Sequence, residues 1–64
     1  MKEYFYGNYC LRVEKRHENV FNVTMSDLTE EDAPAVIWSR NMSKKRAEGV
    51  RGLFEAIGYF DIAF

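Results

Sequence analysis

Apolar and polar side chains alternate through most of the first half of the chain. Tyr9, Leu11 and Val13 fall on one side of an extended segment, and Cys10, Arg12 and Glu14 fall on the other. A period of two marks a strand with one buried face. Tyr4, Phe5 and Tyr6 extend this strand toward the N-terminus, with Gly7-Asn8 as a bulge or bend. After the polar break Arg16 to Asn19, alternation resumes from Val20 to Met25, with Phe21, Val23 and Met25 on one face. Two alternating runs around a short polar break predict a hairpin.

The segment Ser26 to Pro34 is acidic and carries no period. Thr29 followed by Asp32 resembles a capping box and allows one short helical turn, which Pro34 keeps from growing. Ala35 to Asn41 contains Val36, Ile37 and Trp38, which favour a third strand, with Val36 and Trp38 on one side. A helix starting at Thr29 is the competing reading.

From Ser43 the period changes. Ala47, Val50, Leu53, Phe54 and Ile57 share one helical face, Ser43 stands at the N-cap and Gly58 at the stop position. Tyr59 to Phe64 alternates again and predicts a last strand. The expected fold is therefore a single α+β domain over residues 1–64. It is a small antiparallel sheet of three to four strands with one amphipathic helix packed on one face, in the order β-β-β-α-β. The other sheet face is left open, with Val20, Ile37, Tyr59 and Tyr4 or Tyr6 expected among its polar groups.

Composition sharpens the picture. The chain is 47% hydrophobic and has ten aromatic residues, yet one cysteine and one histidine, so no disulfide or metal staple supports so short a chain. Some apolar surface is expected to be buried against a second chain. The net charge of -1 counts against binding by phosphate neutralisation. No apolar run approaches the ~18 residues of a membrane span, and the N-terminus lacks a signal-peptide core. A lone thiol suits a reducing compartment, so a cytoplasmic location is expected.

Candidate chemistry is sparse. Cys10 in a strand and His17 in a turn stand about 20 Å apart along an extended chain, too far for a nucleophile and its base. Neither joins a set with metal-ligand spacing, and there is no phosphate-binding glycine loop, so no enzyme, metal or cofactor is expected. The acidic run Asp27, Glu30, Glu31 and Asp32 reads first as solvated surface. Lys44, Lys45 and Arg46 oppose the macrodipole at the helix start. With Arg51 they are the candidate contact for an anion or nucleic acid, although Glu48, Glu55 or the acidic loop can neutralise them. Trp38 reads first as core. On the open face it would anchor a partner together with Arg40, Tyr4 and Tyr6. Gly49, Gly52 and Ala56 line one side of the helix. Two interior glycines cost about 1 kcal/mol each, which implies close approach to the sheet or to a second helix across a dimer axis.

The functional expectation is a small non-enzymatic protein-binding module and a homodimer, with no membrane role. It would be a stand-alone accessory or inhibitor protein, of the kind encoded by phages or mobile elements, that binds a host macromolecule. The alternative is a nucleic-acid-binding accessory protein that uses the basic start of the helix.

Overall fold

The computed structural model describes residues 1–30 and 32–61. Four strands precede one helix: β1 (Lys2–Tyr6), β2 (Tyr9–His17), β3 (Val20–Asp27), β4 (Ala35–Met42) and α1 (Lys44–Ile57). The strands form one antiparallel sheet in the order β1-β2-β3-β4, each paired with its neighbour in sequence. The chain is thus α+β as expected, but its order is β-β-β-β-α and not β-β-β-α-β.

The difference arises at Gly7-Asn8. These two residues do not bend one long strand; they reverse the chain, so that Tyr6 pairs with Tyr9 and Lys2 with Val13. Gly7 has φ 60°, and a positive φ at the first central residue is what a tight two-residue hairpin of the II′ kind requires. The second hairpin turns at Glu18-Asn19, where Asn19 takes φ 72°. The segment expected to carry a helical turn does not: Thr29, Glu30 and Asp32 lie in bends and a turn, and the helix considered from Thr29 is absent among the described residues. At the C-terminus, Tyr59, Phe60 and Asp61 follow the helix outside any strand, and the remainder of the expected last strand, residues 62–64, lies outside the described residues.

Register fixes the two faces of the sheet. Tyr4, Leu11, Met25 and Trp38 lie across from one another in one row, and all face the helix. Between Met25 and Ser26 the pairing with β4 slips: Met25 opposes Trp38, but Ser26 opposes Val36. The extra residue, Ile37, forms a bulge and reverses the alternation. Val36 and Trp38, expected on one side, are therefore separated. Trp38 is 5% exposed, and Val36 is 63% exposed on the uncovered face.

The core consists of Leu11, Val23, Met25, Trp38 and Met42 from the sheet and Ala47, Val50 and Phe54 from the helix. The helix packs on β1, β2 and β3. Trp38, on the edge strand, is covered by the C-terminal segment: its ring lies 6.0 Å from that of Phe60, and its Nε1–H donates to the Phe60 carbonyl at 3.0 Å. The helix ends where expected. Ser43 Oγ accepts from the Arg46 N–H at 3.3 Å. Asn19 Oδ1 accepts from the Lys44 N–H at 3.2 Å, so the β2–β3 turn also caps the helix. At the other end the Gly58 N–H donates to the Phe54 carbonyl at 2.8 Å. Gly58 has φ 74°, and a Cβ there would stand 2.5 Å from the Tyr6 ring, so the helix stop and β1 are pressed together.

Phe54 has no exposed surface and is the largest of the fully buried side chains. Truncating a buried phenylalanine costs about 3–5 kcal/mol. A domain of this size has a total stability of the same order. Phe54→Ala is expected to leave the chain largely unfolded at 25 °C in urea titrations followed by circular dichroism, whereas Val36→Ala, at an exposed position on β4, is expected to change stability by less than about 1 kcal/mol.

Candidate functional site

The residues singled out for chemistry fall at separate places. Cys10 and His17 stand near opposite ends of the nine-residue β2, so the sheet keeps them apart. Cys10 is buried, with Sγ 4.0 Å from Glu3 Oε2. Burial pushes its thiol pKa up and the Glu3 carboxylate adds to the rise, while Arg12 partly opposes both. A raised pKa leaves less thiolate at neutral pH and a poorer nucleophile. Among the described residues no group of three or more His, Cys, Asp or Glu side chains could hold a metal ion. No described helix is long and apolar enough to cross a membrane.

The uncovered sheet face is polar at its centre. Glu3 and Arg12 form an ion pair at 3.1 Å across β1 and β2. Glu14 pairs with Arg16 at 3.1 Å. Asn22 Nδ2 donates to Asn41 Oδ1 at 3.0 Å, and Thr24 Oγ1 lies 2.9 Å from Ser39 Oγ. The tyrosines expected on this face are elsewhere. Tyr4 and Tyr6 alternate with Glu3 and Phe5 and point to the helix side. There Tyr6 meets Phe54 edge to face at 6.4 Å, and the Arg51 guanidinium lies 5.6 Å from the Tyr4 ring centre. Ile37 is half-buried against the core, and the Tyr59 ring lies 5.5 Å from that of Tyr9, tilted by 40°. Of that expected set Val20 alone remains an exposed strand residue on the uncovered side, since Tyr6, although exposed, lies on the helix side. Phe5 and Val36 are the more exposed large apolar residues on this side, at 65% and 63%.

Trp38 and Arg40 lie on the same side of β4, as expected, but that side faces the helix. Trp38 is buried with its N–H satisfied, and Arg40 is exposed and donates to the Ser39 carbonyl. The helix presents a different apolar surface. Leu53 and Ile57, expected in the core, are 45% and 53% exposed. They sit at the edge of the helical face whose centre is Ala47, Val50 and Phe54, and the narrow sheet does not reach them. Gly49, Gly52 and Ala56 point away from the sheet: a Cβ built at either glycine meets nothing within 4 Å. The expectation that these glycines let the helix approach the sheet is therefore overturned.

The basic start of the helix has no acidic residue in its first turn. Lys44, Lys45 and Arg46 are all exposed. Arg51 is tied to Glu55 at 2.8 Å. Asp27, at the start of the acidic loop, is bonded locally to Thr29. Asp27 accepts from the Thr29 hydroxyl and from its backbone N–H at 2.8 Å, and these two bonds hold its carboxyl below the ordinary range. Glu31 of the same loop lies outside the described residues.

No family model, curated protein or solved structure matches this chain.

Two measurements check these electrostatics. Cys10 is expected to react with iodoacetamide at pH 8 more slowly than free cysteine. Glu3→Gln is expected to speed the reaction by lowering the thiol pKa, read from the pH dependence of the rate. The Asp27 carboxyl is expected to titrate by NMR below an ordinary aspartate, and Thr29→Val to move it back upward. Because the folded-state value is the lower one, its stabilisation is present above the unfolded pKa and is lost as pH falls through the folded one.

Proposed function

We propose that this chain is a small non-enzymatic protein-binding module that assembles as a homodimer through the outward face of α1. The observation that carries this reading is the pair Gly49 and Gly52, where a side chain would meet nothing within 4 Å among the described residues. Each costs a helix about 1 kcal/mol relative to alanine. A monomer recovers none of that cost. A second helix does, because small residues allow two backbones to approach closely. Leu53 and Ile57, one turn apart and exposed, flank the same face and supply the apolar area that such a contact would bury. A patch of this kind is self-complementary across a two-fold axis.

Other surfaces remain for a different protein. Tyr6 and Phe5 are exposed at one end of β1, and Val36 is exposed on β4. Among the residues expected to bind a partner, Tyr6 is the aromatic that keeps substantial exposure. Action as an accessory or inhibitor on a host macromolecule fits a small binding module without its own chemistry. The single free, buried Cys10 fits a reducing compartment such as the cytoplasm.

Sedimentation velocity over a hundredfold concentration range tests the assembly. The wild-type chain is expected at twice its mass of 7.5 kDa. Gly52→Leu is expected at the monomer mass with an unchanged circular dichroism spectrum. A wild-type chain that stays at 7.5 kDa throughout, with Gly49→Ala and Gly52→Ala raising its thermal stability, would sink the homodimer.

A further inference from the structure

A second surface lies on the flank of α1 that faces β1, away from Leu53 and Ile57. Strand alternation prepares it. In β1 and β2, Lys2 and Lys15 point to the helix side of the sheet, while Glu3 and Glu14 go to the uncovered side and pair there with Arg12 and Arg16. The acids of these two strands are thus on the uncovered face with arginines as partners, and Lys2 and Lys15 reach the helix side without an acid from either strand. The helix adds Lys44, Glu48 and Arg51, spaced four and three residues apart and so on one flank.

Together these residues border a half-open groove of about 410 Å³. Half-buried Tyr4, Val13 and Phe21 form its apolar floor, and exposed Lys2, Lys15 and Lys44 stand around its rim. Glu48 is the one carboxylate on its lining. Among the described residues no ion pair joins Lys2, Lys15 or Lys44 to a carboxylate. The guanidinium of Arg51 is held in place between Glu55 and the Tyr4 ring. A protein of net charge -1 therefore gathers three lysines without ion-pair partners around one concavity, with Glu48 as the carboxylate on its lining. Their mutual repulsion is unfavourable until an anion enters.

The groove volume lies in the range of small-ligand sites, roughly 300–1,000 Å³. Its chemistry asks for two things in one ligand: several negative charges for the rim and a flat apolar group for the floor. Inorganic phosphate supplies only the first. An acidic peptide supplies charge on flexible side chains and leaves the aromatic floor uncovered. A nucleotide supplies both, and the pairing of a positively charged groove with aromatic platforms is how single strands are held without sequence preference.

We propose that this groove binds a nucleoside phosphate, either free or as a unit of a single strand, with its phosphates on Lys2, Lys15 and Lys44 and its base against Phe21. The site is independent of the helix face assigned to dimerisation. Binding here requires neither Gly49 nor Gly52.

The test is an NMR titration of the full-length chain with four probes: ATP, a ten-nucleotide oligothymidylate, inorganic phosphate and a polyglutamate peptide. ATP or the oligonucleotide is expected to shift the amides of Lys2, Lys15, Phe21 and Lys44 saturably. Lys15→Glu combined with Lys44→Glu, both at exposed positions, is expected to weaken binding at least tenfold without loss of spectral dispersion. Phe21→Leu is expected to weaken ATP at least threefold and leave inorganic phosphate unchanged. Tighter binding of ATP identifies the free nucleotide as the source. Tighter binding of the oligonucleotide, falling steeply with salt, identifies a strand. The proposal is overturned if neither nucleotide probe shifts these amides, if inorganic phosphate binds as tightly as ATP, or if polyglutamate binds more tightly than both.

Discussion

Burial of Phe54 is the constraint on which the rest depends. The sheet is open on both faces until something covers one of them, and α1 is the only described helix available to do so. Phe54 enters the core with Leu11, Val23 and Met25, none of which retains exposed surface. Tyr6 closes over it from β1, and Gly58 ends the helix against the same ring. With that side chain seated, the rotation of the helix about its axis is settled. Ala47 and Val50 follow it inward, Leu53 and Ile57 are left at the margin, and Gly49, Gly52 and Ala56 face outward. Lys44 and Arg51 are carried to the flank above Tyr4.

The same seating explains why one small domain has two distinct surfaces. One helix cannot cover four strands, since a helix is about 10 Å across and neighbouring strands lie about 4.8 Å apart. The edge strand β4 is finished by the chain beyond the helix, through Phe60 on Trp38. At the other margin, near the helix start, Lys2, Lys15 and half-buried Phe21 line a groove that no described element fills. The outward helix face and this groove lie on different sides of α1. Assembly through the first and ligand binding in the second can therefore proceed without steric conflict.

Charge is distributed by the same geometry. The overall balance is close to neutral, which weakens any case for a protein that coats a long polyanion. Locally the balance is different. The acids of β1 and β2 are consumed by arginines on the uncovered face, and Asp27 is satisfied by Thr29. The lysines on the helix side have no such partners among the described residues. A small concave anion site is compatible with an overall charge of -1, because the field within a groove depends on the few charges that line it.

The sequence by itself determined the elements whose signal is local. Alternation marked β2 and β3, β-branched and aromatic residues marked β4, and the helical period with Ser43 and Gly58 placed α1 almost to the residue. Each of these signals depends on a few neighbouring side chains and on backbone propensity. Tertiary structure alone decided the rest. The reversal at Gly7-Asn8 created a fourth strand ahead of the helix. The bulge at Ile37 sent Val36 outward and Trp38 inward. The helix period included Leu53 and Ile57 in its apolar face but could not tell how wide a sheet lay beneath. Lys2, Lys15 and Lys44 are distant in sequence, and none is unusual alone. They became a site only when strand pairing and the seating of Phe54 brought three separate segments to one concavity, because convergence is a property of register and packing and not of any local pattern.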